Sequence, residues 1–125
     1  MVPYTLPYPP DDETRTDIRE YLTQSGTSPY GKWFAALDRV AAAKVTIALV
    51  RVAVGNTGKV KSLGSGLAEI KIDFGPGYRV YLGRDGPALI LLLGGGTKKR
   101  QDDDIATARE RWRDYQIRKR GDSCH

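Results

Sequence analysis

The run KIDFGPGYRVYLG, Lys71 to Gly83, sets two cations, a carboxylate and two tyrosines around a glycine-rich turn. Gly-Pro-Gly between two apolar-rich runs is turn chemistry, so the segment reads as a hairpin. Side chains alternate between the faces of a strand. With Gly75-Pro76-Gly77 as the loop, Phe74 faces Tyr78, Asp73 faces Arg79, Ile72 faces Val80 and Lys71 faces Tyr81. Ile70, Ile72, Val80 and Leu82 then share an apolar face, and Lys71, Asp73, Arg79 and Tyr81 a polar one. Two readings of the polar face compete. In one, Asp73 and Arg79 are a cross-strand ion pair and Lys71 snorkels past Tyr81 to water. In the other, the cations bind a phosphate.

Further cations favour the second reading. Lys98-Lys99-Arg100 lies just beyond the apolar run Ala88–Leu93, Lys59 and Lys61 precede the hairpin, and Arg84 closes its second strand. Separate segments that bring positive charge to one region can hold RNA and stabilise the extra negative charge of phosphoryl transfer. Arg79, Lys98 and Lys71, with Tyr81 beside them, are the candidate residues to meet that phosphate. Lys59, Lys61, Arg84, Lys99 and Arg100 are the expected RNA-binding residues.

Other chemistries fit poorly. Gly94-Gly95-Gly96-Thr97-Lys98-Lys99 looks like part of a phosphate-binding loop, but it lacks the G-x-x-x-x-G-K-S/T spacing and a surrounding βαβ unit. Asp102, Asp103 and Asp104 read as helix-start charges rather than acid–base carboxylates, so a metal-dependent nuclease is not expected. Cys124 and His125 are the single cysteine and single histidine and stand side by side at the end of the sequence. Neither an internal disulfide nor a zinc or Cys/His catalytic site follows from them. No metal and no cofactor is expected.

A chain of 125 residues with 40% apolar content suits one domain with one core. Lys and Arg number 20 against 15 Asp and Glu, a net +5 that suits a polyanion partner without demanding one. Prolines at 3, 7, 9 and 10 mark residues 1–12 as a flexible tail that does not resemble a signal peptide. No apolar run approaches the ~20 residues of a membrane span, so a cytoplasmic protein with no membrane partner is expected. Residues 13–22 suit a strand or a helix, with the strand preferred. Ser28 and Pro29 mark an N-cap and first helical position, and Asp38 caps a second helix with Ala41, Val45, Ala48 and Val52 on one face. Gly55-Asn56 stops that helix. Residues 59–66 read as a basic loop, and 69–74, 78–84 and 88–93 as an antiparallel meander. Its last strand is apolar on both sides and so central and covered twice. A final helix, 103–120, presents Ile105, Ala108, Trp112 and Tyr115 to the core, ahead of a tail at 121–125. Either this helix or the 59–66 loop should lie partly over the polar hairpin face.

GLAEIKIDFGPGYRVYLG, then LILLLGGGTKK, then DIATARERWRDY resemble the RelE/HigB-like toxins of bacterial type II toxin–antitoxin modules. The branch most similar is the addiction-module killer proteins, the phage-derived Gp49-like group, and the likeness runs from about Arg19 to Tyr115. The resemblance implies a single α+β domain over 13–120 in the order β-α-α-β-β-β-α, with a small, mostly antiparallel sheet packed against helices. It makes residues 13–22 a strand. It also implies a ribosome-dependent mRNA endonuclease that works without metal, by attack of a ribose 2′-hydroxyl on the adjacent phosphate. A helix-turn-helix antitoxin from a neighbouring gene would neutralise it. Arg79 matches the family's arginine on the middle strand and Lys98 its basic residue after the last strand, while Lys71 and Lys61 match basic positions less closely. Some relatives use a C-terminal histidine or tyrosine for proton transfer. Nothing here matches that position, and Tyr81 and Tyr115 are the substitutes. The alternatives are a ParE-like, non-enzymatic gyrase inhibitor and a decayed toxin that only binds its antitoxin.

Overall fold

The computed structural model describes residues 16–123. The expectations for the 1–12 tail, Cys124 and His125 lie outside these residues. The elements are β1 (Asp17–Glu20), α1 (Pro29–Ala35), α2 (Arg39–Ala53), β2 (Val60–Gly64), β3 (Leu67–Ile72), β4 (Tyr78–Asp85), β5 (Leu89–Thr97), a 3-10 turn (Lys98–Arg100) and α3 (Gln101–Ser123). They form an α+β fold around one five-stranded sheet, ordered β1-β5-β4-β3-β2. Only β1 on β5 is parallel among its four pairings.

Local chemistry starts and stops the helices as the sequence suggests. The Ser28 hydroxyl accepts the Gly31 N–H at 2.8 Å with Pro29 first in the helix. Asp38 accepts the Ala41 N–H at 2.8 Å. These caps satisfy amides that a first turn otherwise leaves bare. Gly55, at φ +99°, takes the left-handed conformation that ends α2 at little steric cost.

The sheet is covered on both sides. Val45 and Val52 of α2 and Tyr30 of α1 pack on Ile70, Ile72, Val80, Leu82, Ile90 and Leu92. On the other face Ala108 and Trp112 of α3 pack on Leu67, Tyr81, Leu91 and Leu93. Ile90 to Leu93 are all buried, as a strand apolar on both sides requires. Strand β5 is nevertheless second from the edge, and β4 is central.

Three expectations are corrected. Residues 60–64 are an edge strand rather than part of a loop, giving the order β-α-α-β-β-β-β-α. Exposed Lys61 and Ser62 hid its alternation, and a tight turn with Gly64, Ser65 and Gly66 all at positive φ joins it to β3. The β3–β4 register is also shifted by two residues. Lys71 pairs with Arg79, Ile70 with Val80 and Glu69 with Tyr81. The loop is Asp73 to Gly77, closed by a bond from Gly77 N–H to Phe74 O at 3.0 Å. A slip of two preserves every side chain's face, so the core assignment survives while the Asp73–Arg79 pairing does not. Finally, α3 runs through Ser123, so 121–123 are helical rather than tail. Among the described residues no helix is long and apolar enough to cross a membrane.

Candidate functional site

The polar hairpin face lies under the start of α3. Arg79 and Glu69 are buried, at 6% and 3% exposure, and Arg79 Nε lies 3.3 Å from Glu69 Oε2. Gln101 Nε2, in the first turn of α3, donates to Glu69 Oε1 at 3.4 Å. Arg79 is therefore neutralised by a partner the hairpin register did not suggest. Asp73 instead stands in the open, 3.5 Å from Lys59 Nζ and 3.7 Å from Lys71 Nζ.

The exposed cations gather at the same end of the sheet. Lys98 N–H donates to Gly77 O at 2.9 Å, which pins the 3-10 turn of Lys98, Lys99 and Arg100 against the β3–β4 loop. All three side chains are exposed, and Arg100 lies 3.8 Å from Asp103. Lys71 is opposite Arg79, and Lys71 N–H reaches Lys59 O at 3.4 Å. Lys59, Lys71, Arg79, Lys98 and Arg100 thus share one end of the molecule. Lys61 sits opposite Glu69 on the exposed edge strand. Arg84 is at the far end of β4, bonded through its N–H to Gly66 O, and does not join them.

Beside this surface is a cavity of about 260 Å³ between α1 and α3. It lies where β1 has ended: the last β1–β5 pair is Glu20 with Leu92, and the next stretch of β5 is Gly94, Gly95 and Gly96. A bulge at Leu93 turns both Leu93 and Gly94 toward α3. Each glycine then makes room for one side chain. A Cβ on Gly95 would collide with the Trp33 ring, one on Gly96 with the Asp104 carboxylate, and one on Gly94 would come within 2.7 Å of Arg111 Nη1. Arg111 Nη1 donates to Leu93 O at 2.8 Å.

The polar groups here have shifted proton affinities. Tyr81 is 1% exposed, its hydroxyl has no hydrogen-bond partner, and burial, followed by the charges of Glu69 and Asp104, pushes it up to about 12. It stays protonated at neutral pH, so it can donate a proton or hydrogen bond but cannot serve there as a resting base. Burial also raises Asp104 above the usual carboxylate value and lowers Arg111 below the usual guanidinium value. Tyr115, the other tyrosine considered for proton transfer, donates to Asp85 Oδ2 at 2.6 Å beside Lys119, away from the cavity. Among the described residues no three His, Cys, Asp or Glu side chains are placed to hold a metal ion.

Sequence reasoning missed Glu69, Asp104, Arg111 and Trp33. Asp104 and Arg111 are seven residues apart, two helical turns, and so share the α3 face that also carries Ala108. That spacing opposite a three-glycine strand was the available signal.

The site therefore defines an α+β protein with a cationic sheet end and an adjoining polar cavity. A Haemophilus influenzae protein, described only as an uncharacterized protein, is 40% identical over 84 residues, covering 66% of this chain and 85% of that one. The chain belongs to the same family as that Haemophilus protein. No protein-family model matches it.

Proposed function

We propose that this protein is the toxin of a type II toxin–antitoxin module, a cytoplasmic endoribonuclease of RelE/HigB-like type that cuts mRNA on the ribosome. The observation that carries the reading is the Lys98 N–H to Gly77 O bond at 2.9 Å. It brings a turn of three exposed cations against the hairpin loop flanked by Lys71 and Arg79. A ribose 2′-hydroxyl gives up its proton to solvent and attacks the adjacent phosphorus, forming one P–O bond and breaking the bond to the 5′-oxygen, which takes up a proton and leaves as a 5′-hydroxyl beside a cyclic phosphate. Negative charge builds on the phosphorane, and fixed cations stabilise it. Lys98 and Lys71 are exposed and meet the phosphate; Lys59, Lys99 and Arg100 hold the flanking strand. Arg79 is a positioning residue here, because Glu69 already neutralises it. No cofactor enters the scheme, and a helix-turn-helix antitoxin covers the cationic surface.

The same Glu69–Arg79 pair favours a second reading. By removing one cation from the surface, it brings the site closer to a non-enzymatic, ParE-like gyrase inhibitor. Following cellular mRNA and DNA shortly after induction separates the two. Cleavage within reading frames supports the ribonuclease, DNA damage with intact mRNA supports the gyrase inhibitor, and unimpaired growth supports a decayed toxin.

A further inference from the structure

Helix α2 is apolar on two faces. Val45 and Val52 are buried against the sheet, as the inner face of a surface helix should be. On the outer side Val40, Ala43, Ile47, Val50 and Val54 recur at steps of three, four, three and four. That is the spacing of a heptad seam, the stripe that one helix offers to another. All five are exposed, the four larger ones at 49% to 64%. Those four are the majority of the six large apolar side chains exposed among the described residues. A contiguous apolar stripe left to water marks an interaction surface.

Cations border the stripe. Lys44 and Arg51, seven residues apart, flank it on the side of a groove of about 470 Å³ between α2 and β3. Lys59 and Lys71 also line that groove, with Asp73 beside them as its one acidic residue. Helix α2 itself carries Arg39, Lys44 and Arg51 and no acid. Lys44 lies over the Phe74 ring at 5.5 Å, and neither Lys44 nor Arg51 has an ion-pair partner among the described residues.

We infer that the outer face of α2 is the docking site for an amphipathic helix of another protein, one with an apolar seam and acidic residues along the flank that meets Lys44 and Arg51. The stripe sets the length: from residue 40 to 54 it runs roughly 21 Å, which about four turns of a partner helix cover. The heptad spacing sets the type, since the two-residue period of a strand does not follow it. The charges set the partner. A second copy of α2 packed on the first would bring Lys44 and Arg51 of one chain toward those of the other, and like charges facing each other cost affinity. RNA would meet the cations and leave the apolar seam in water. An acidic amphipathic helix covers both at once. Such docking needs no RNA chemistry, so it stands whether or not the protein is a ribonuclease.

The test is an amide NMR titration of the full chain with two helical peptides of about three heptads. Both carry leucine at the seam positions, and one has glutamate and the other lysine at every flanking position. The glutamate peptide should shift the amides of residues 40–54 and bind about tenfold tighter than the lysine peptide. Val50 is 57% exposed, so Val50→Glu should leave the melting temperature unchanged while weakening the glutamate peptide about tenfold. Lys44→Glu with Arg51→Glu should reverse the order of the two peptides; if that chain fails to fold, Val50→Glu and the unaltered chain decide. Equal affinity for the two peptides, or shifts that miss residues 40–54, overturn the docking site. A free chain that sediments as a dimer, and as a monomer with Val50→Glu, overturns it in favour of a second copy. An oligouridylate that displaces the glutamate peptide overturns it in favour of RNA.

Discussion

The Asp104 carboxylate of α3 occupies the space where a Cβ on Gly96 would stand. Strand and helix therefore approach at this point only because residue 96 has no side chain. Gly96→Ala should cost about 1–3 kcal/mol, as overpacking does, by lifting the start of α3. Asp104→Ala in the same chain should recover most of the loss. Urea unfolding of the single and double variants checks this, and strictly additive effects would show that the two residues do not touch.

The buried Glu69–Arg79 pair changes the expected cost of altering Arg79. An exposed cross-strand pair contributes about 0–1 kcal/mol. Removing one member of a buried pair typically costs about 3–5 kcal/mol, because the other charge is stranded away from water. Glu69→Ala should therefore melt far earlier than the intact chain. Glu69→Leu with Arg79→Met should restore much of the stability, since an apolar replacement of a whole buried pair is often neutral or better. Thermal melting of the three chains decides it.

Trp112 anchors α3. Its ring lies on Gly83, where a Cβ would collide with it, and its Nε1 donates to Ser65 O at 2.8 Å. It also stacks on Tyr115 at 5.5 Å. Trp112→Ala should lose about 3–5 kcal/mol. A variant that melts with the intact chain would contradict this packing.

Elements with strong local signals were legible in the sequence. The Ser28-Pro29 and Asp38 caps, the Ala41–Val52 stripe and the Ile105–Tyr115 stripe each rest on contacts within a few residues. Strand faces were legible too, because alternation survives a register slip of two. The register itself was not, since a five-residue loop and a three-residue loop leave the same faces inward. Burial of Arg79 was equally hidden, because its partner Glu69 is ten residues away and Gln101 is thirty-two from Glu69. The cavity depended on where β1 stops and how α3 crosses β5. Asp104 consequently read as a helix-start charge, which its place in the first turns also makes it.

Alkaline pH should destabilise the fold. Tyr30, Tyr81 and Tyr115 are each pushed up to about 12, with burial the largest cause in all three. Unfolded tyrosines lose their protons near pH 10. Between that value and the folded one the native chain holds more protons, so stability is full below about pH 10 and falls as pH rises toward 12. Tyr81→Phe should flatten part of this loss. It should also stabilise the chain at neutral pH, because it removes a buried hydroxyl with no partner. Urea midpoints between pH 8 and 12 check both; a midpoint that climbs with pH contradicts the burial of these rings.

Single-turnover cleavage of mRNA on programmed ribosomes, beside thermal melting of each variant, separates catalysis from folding. Lys98 is exposed and anchored through its backbone N–H, so Lys98→Ala should leave the melting temperature unchanged. It should slow cleavage by about 10²–10³, as loss of one donor to a developing negative charge does. The unaltered protein should cut within the ribosome-bound codon, and the variant should show that loss. Intact mRNA under the unaltered protein, or equal cleavage by Lys98→Ala, would contradict it.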